Sequence, residues 1–164
     1  MKIKLVYLVA TALHFCAIES AFAIQLQPAG EAEAFKAGGY LLTDNKWHSE
    51  CNEPTERTFV PARIESVTDL NGDGLPEAII SEGGVACYGN TGSGFTVVSE
   101  QSNNTWKPML SSSGIPRILK TKGANGWPDI EIGGPGFCFS VWRWNGKSYE
   151  INRYEYKGKT CKVN

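Results

Sequence analysis

The residue run with the clearest chemical potential is Asp69-Leu70-Asn71-Gly72-Asp73-Gly74-Leu75-Pro76-Glu77. Oxygen-bearing side chains recur at its first, third, fifth and ninth positions. Gly74, at the sixth, permits the tight turn that would wrap them around one point. A calcium ion takes six to eight oxygens at about 2.3–2.6 Å, and this spacing can offer them. Asp69, Asn71 and Asp73 would supply side-chain oxygens, Leu75 its backbone carbonyl, and Glu77 would close the site. Three carboxylates around one divalent cation is a sensible charge balance, and the ion's role would be structural. The same residues also suit a plain solvated turn. An EF-hand or dockerin loop would need Asp or Glu at position twelve, where Ile80 stands, and a helix rather than a strand afterwards.

A second, eroded copy lies 52 residues on. Asp73, Gly74, Pro76 and Glu77 correspond to Asn125, Gly126, Pro128 and Asp129. Each loop leads into a short apolar run, Ala78-Ile79-Ile80 or Ile130-Glu131-Ile132, then Gly-Gly, then Cys87 or Cys138. Asp69 and Asn71 correspond to Thr121 and Gly123, so the second copy lacks the first ligands. The first loop, between two strands, resembles the FG-GAP/VCBS repeat, an integrin-like calcium-loop β unit. Here Glu77 replaces the usual final Asp. The resemblance covers roughly residues 58–110 and 115–156, its specific part being the nine-residue loop. Repeats of that family build propellers, and two units cannot close one. The expectation is therefore a mostly β (α+β) domain of two packed antiparallel meanders from a duplicated unit, with one short N-terminal helix and two disulfides.

The chain opens as an export signal does. Lys2 and Lys4 precede the apolar run Leu5 to Ile18, and Ala21-Phe22-Ala23 has the small-x-small pattern of a cleavage site. Cleavage is expected after Ala23, leaving 24–164 as a single domain in the periplasm or outside the cell. An anchor would need about 20 apolar residues. Acylation of Cys16 would need a small residue where Phe15 stands. Setting aside Lys2, Lys4 and Glu19 leaves 14 basic and 16 acidic of the chain's 16 and 17, with no basic stripe. That balance speaks against nucleic acid and against a membrane surface as partners.

Cys51, Cys87, Cys138 and Cys161 form an even set, read in an exported chain as a disulfide framework. Three pairings are possible. The repeat favours Cys87–Cys138, which leaves Cys51–Cys161. A zinc site using His48, Cys51 and other thiols is the alternative, disfavoured by the wide spacing and an oxidising compartment.

Catalytic equipment is thin. His48 is the lone histidine after the signal, and no nucleophile, phosphate-loop or dinucleotide motif is present. Glu82, Asp129 and Glu131 are the carboxylates a hydrolase would draw on. Trp106, Trp127, Trp142, Trp144, Tyr149, Tyr154 and Tyr156 crowd the second half, as core or as a strip for stacking on sugars. Gly83-Gly84 and Gly133 to Gly136 could line a binding edge. The function expected is a calcium-stabilised, non-enzymatic binding protein that engages or inhibits another exported protein. A carbohydrate- or peptidoglycan-binding module and a hydrolase with an unrecognised carboxylate site are the alternatives.

Locally, a helix is expected from Pro28 to Gly39, an irregular stretch from Tyr40 to Glu56, and strands over Thr58 to Thr68, Glu77 to Ser81, Phe95 to Ser99 and Trp106 to Leu110. Phe137 to Tyr156 should form a hairpin on an Asn145-Gly146 turn, pairing Trp142 with Tyr149, Ser140 with Ile151 and Cys138 with Arg153.

Overall fold

The computed structural model of the chain describes residues 25–51 and 55–163; the expected signal peptide and Cys16 lie outside them. Helix α1 (Pro28–Ala37) begins with proline in its first turn, where the missing N–H costs nothing, and carries Glu31 and Lys36 at the dipole ends they favour. It buries Ala34 and Phe35.

The rest is β. Strands β1 (Leu41–Thr43), β2 (Lys46–His48), β3 (Val60–Thr68), β4 (Glu77–Gly83), β5 (Ser93–Glu100) and β6 (Trp106–Ser113) form one antiparallel sheet in sequence order. Strands β7 (Ile115–Lys122), β8 (Pro128–Gly133), β9 (Phe139–Trp144), β10 (Tyr149–Tyr156) and β11 (Lys159–Thr160) form a second. Two four-stranded meanders, β3–β6 and β7–β10, are thus the body of the fold, as expected of a duplicated unit. Among the described residues, no helix is long and apolar enough to cross a membrane.

The layers follow from strand alternation. Ile79, Phe95, Val97 and Leu110 of the first sheet meet Ile130, Ile132, Trp144 and Tyr149 of the second. Ala78, Ile80 and Val98 on the first sheet's other face meet Phe35 and Tyr40. Phe35 also stacks on Trp47, with ring centroids 4.8 Å apart. Gly114 makes the step from one sheet to the other. At φ +136°, a Cβ there would lie 2.4 Å from Ile132 Cγ2 and 2.7 Å from the Gly133 carbonyl oxygen.

Four expectations need correction or addition. First, the disulfides join Cys51 to Cys87 and Cys138 to Cys161, with Cα–Cα separations of 5.8 and 5.7 Å. Cys87 follows a strand of the first sheet and Cys138 a strand of the second, and each is bridged to a cysteine from its own half of the chain. Second, the β9–β10 loop holds four residues, not two. Asn145 Oδ1 accepts the Lys147 and Ser148 amides at 2.8 and 2.9 Å, so Trp144 pairs with Tyr149 and Trp142 with Ile151. The slip is two residues, which preserves the faces until a bulge between Ile151 and Arg153; beyond it Arg153 pairs with Val141.

Third, the stretch after α1 is not wholly irregular. Asp44 and Asn45, at φ +50° and +59°, make the two-residue turn of the β1–β2 hairpin. Fourth, a four-residue helix α2 (Val85–Tyr88) precedes β5 and carries Cys87. Pro61 falls in a register shift of β3, as its lack of a donor demands.

Candidate functional site

The Asp69–Glu77 loop joins β3 to β4. Asp69 accepts the Gly72 amide on Oδ1 at 2.7 Å and the Gly74 amide on Oδ2 at 2.9 Å. Asn71 Oδ1 accepts the Asp73 amide, and Asp73 Oδ1 accepts the Leu75 amide, at 2.7 and 2.8 Å. The loop side chains therefore hold the loop's own backbone. Glu77 points the other way, into the protein, and is 1 % exposed. The Leu70 amide donates to its Oε2 at 2.7 Å and the Ser99 hydroxyl to its Oε1 at 2.8 Å. Burial pushes the Glu77 carboxyl up to about 7; those two hydrogen bonds oppose the rise, and the Asp73 and Asp69 charges add to it. Among the described residues, no three Asp, Glu, His or Cys side chains are gathered closely enough to share an ion.

Asp129 occupies the matching place in the second unit and is fully buried. Arg143 donates to both of its oxygens at 2.9 and 2.8 Å, Arg153 donates at 2.7 Å, and Thr121 at 2.6 Å. Burial alone would raise this carboxyl. The donors from Arg143, Thr121 and Arg153 outweigh it and hold Asp129 below the usual carboxylate range.

The remaining carboxylates are also engaged. Arg117 grips Glu131 bidentately at 2.9 and 2.7 Å. Glu82, 2 % exposed, accepts the Ser49 amide and hydroxyl, both at 2.7 Å, and the Tyr88 hydroxyl at 2.5 Å. Burial first, and that bond to Glu82 second, raise the Tyr88 phenol. The Cys51–Cys87 bridge ties down both donors, being two residues from Ser49 and one from Tyr88. His48 is occupied by Ser49 O and Thr43 Oγ1, at 2.9 and 3.0 Å. With Cys51 in a disulfide, the zinc alternative has no thiolate there.

The aromatic concentration divides. Trp127, Trp144 and Tyr149 are core, with centroids 5.5–6.2 Å apart. The exposed aromatics are at the opposite end of the sandwich from the Asp69 loop. Phe137 is 75 % exposed and meets Tyr156, which in turn meets Phe139. Phe139 and Ile115 line a groove of about 370 Å³ with Arg117, Glu131 and Pro135. Ile115, 62 % exposed, also borders a groove of about 470 Å³ beside Arg63 and Ser81. Cys138, at φ +67°, pins the loop carrying Phe137 to the C-terminal segment.

Of the residues expected to act, Asp69, Asn71, Asp73 and Leu75 stay together in one loop, and Glu77 lies beneath it. Sequence reasoning did not single out Phe137 and Ile115. The available signal was Phe137 within Gly133-Gly134-Pro135-Gly136-Phe137-Cys138, a stretch too rich in turn formers to bury an aromatic. A scan against family models and searches of curated proteins and solved structures found no match for the chain.

Proposed function

We propose that this is an exported, calcium-stabilised binding protein with no catalysis of its own, engaging another exported protein through the Ile115–Phe137–Tyr156 edge. The observation that carries this reading is Phe137, three-quarters exposed on a loop clamped by the Cys138–Cys161 bridge. Leaving a large ring in water is unfavourable for a free monomer, and clamping it beforehand lowers the ordering cost of binding. Aromatic anchors beside a groove and within a polar rim are the usual anatomy of a protein-binding hot spot. Lys157, Lys159 and Lys162 supply that rim, with the Lys157 ammonium 5.3 Å from the Tyr156 ring centroid.

Two disulfides are compatible with an oxidising compartment. A role without catalysis agrees with the structural engagement of Glu82, Asp129 and Glu131. The calcium part, and with it the FG-GAP/VCBS resemblance, rests on the oxygens around Asp69. Each carboxylate oxygen there keeps a lone pair beyond its amide contact. Among the described residues no basic side chain meets the buried Glu77 carboxylate, and Asp69 and Asp73 lie close to it. A divalent ion would offset that crowding.

The test is recovery of a partner from the periplasm on the wild-type chain, on Phe137→Ser and on Leu41→Ser, followed by reconstitution from purified components. The reading predicts one partner retained by Leu41→Ser, with affinity lowered at least about tenfold by Phe137→Ser. Equal affinity for all three chains would contradict it.

A further inference from the structure

At the end of the sandwich opposite Phe137, turns from both meanders surround one cleft of about 310 Å³. The β3–β4 loop brings Asn71 and Asp73, the β5–β6 turn Gln101 and Ser102, the β7–β8 turn Asn125, and the β9–β10 loop Gly146. The first and third of these touch: a Cβ on Gly126, at φ +78°, would lie 2.5 Å from the Asn71 carbonyl oxygen. The cleft is therefore walled by loops braced on a rigid scaffold, the arrangement in which binding residues are commonly presented.

We infer that this cleft binds a neutral saccharide unit. Trp127 and Trp144 line it but are 7 % and 6 % exposed, so little of either indole is open to a ligand. Recognition falls to the walls, where Lys107, Ser102 and the Asn125 amide have no hydrogen-bond partner among the described residues. Gln101 Nε2 donates to the Ser99 carbonyl and hydroxyl oxygens, at 3.1 and 3.2 Å, which fixes this lining side chain in place. Amide, hydroxyl and ammonium groups give donors and acceptors mixed at short range, which suits vicinal hydroxyls. Two other ligand classes are excluded. Glu100 opposes a polyanion, and Lys107 is the single basic residue among those lining the cleft. An apolar ligand would strand the unpartnered polar groups.

This site is separate from the Phe137 edge and does not rest on the protein-binding reading. The buried indoles beneath the cleft make tryptophan emission its reporter. The experiment titrates the oxidised chain in calcium with chitotetraose, cellotetraose and maltotetraose, and with a sulfated heparin tetrasaccharide as the polyanion control. Asn125→Gly fits the left-handed backbone at φ +53° and Lys107→Ala removes an exposed side chain, so both should fold. The expected result is a saturable emission change with at least one neutral tetrasaccharide. Affinity should fall about tenfold or more in the Lys107→Ala/Asn125→Gly double variant, stay unchanged in Phe137→Ser, and be weaker for the heparin fragment. No saturable change with any neutral probe, or one insensitive to the double variant, would overturn the assignment.

Discussion

Glu77 and Asp129 hold the same place in two similar meanders, and both are removed from water, yet their surroundings are opposite. Asp129 is met by two guanidinium groups, from β9 and β10, and by the Thr121 hydroxyl. Among the described residues Glu77 is met only by neutral donors, the Leu70 amide and the Ser99 hydroxyl, with two more carboxylates close by. The second unit carries its counter-charge covalently. Among the described residues the first has none, and its loop holds Asp69 and Asn71 where the second has Thr121 and Gly123. A buried carboxylate needs compensation; Arg143 and Arg153 give it to Asp129, and Glu77 has two neutral donors in their place.

The largest effect should come from removing the built-in counter-charge. Arg143→Ala with Arg153→Ala would leave Asp129 buried and uncompensated, at a cost of about 3–5 kcal/mol, read from denaturant unfolding. A loss below about 1 kcal/mol would mean that Asp129 is easily rehydrated, and the contrast would fail. Next are the bridges, which tie each unit to itself. Replacing either cysteine pair by serine should cost about 3–4 kcal/mol in the chain-entropy model. The separation of 36 residues for Cys51–Cys87 against 23 for Cys138–Cys161 makes the first slightly the more costly. Peptide mapping without reduction should recover those two linkages and no bridge between units.

A smaller effect should appear in pH. Glu77 has a folded-state pKa of about 7, above its ordinary value of 4.5. The folded state therefore disfavours its charged form. In chelator, stability should be highest below about pH 4.5 as far as this group is concerned, and decline as pH rises towards 7. Glu77→Gln should flatten that decline, and an unchanged slope would remove Glu77 as its source. Asp129 has the opposite sign. Its lowered pKa gives stability that is present above the ordinary carboxylate range and lost in strong acid. The smallest stability change should be that of Phe137→Ser, within about 0.5 kcal/mol, because the ring is exposed.

Much of this was legible in the chain. Pro28 and the glycines after Ala37 mark α1, and the apolar runs ending in Gly-Gly mark β4 and β8. The register of β9–β10 was not, because it depends on Asn145 capturing two amides, a side-chain event that the Asn-Gly pair does not encode. The β1–β2 hairpin escaped notice because its strands are three residues long, Leu41 and Leu42 are exposed, and its turn contains no glycine. The disulfide pairing was misjudged because equivalence in a repeat is not proximity. Arg143 and Arg153 lie 14 and 24 residues from Asp129, so only the folded sheet brings them to it.

The most direct test of the contrast is thermal unfolding of the oxidised chain, residues 24–164, in millimolar calcium and in chelator, with Asp73→Ala alongside. A ligand at 100 times its Kd adds about 2.7 kcal/mol, which for a chain of this size is a rise of several degrees in Tm. The account predicts such a rise for the wild type and its loss in Asp73→Ala. Identical melting in calcium and chelator would contradict it, leaving Glu77 a buried carboxylate held by neutral donors alone.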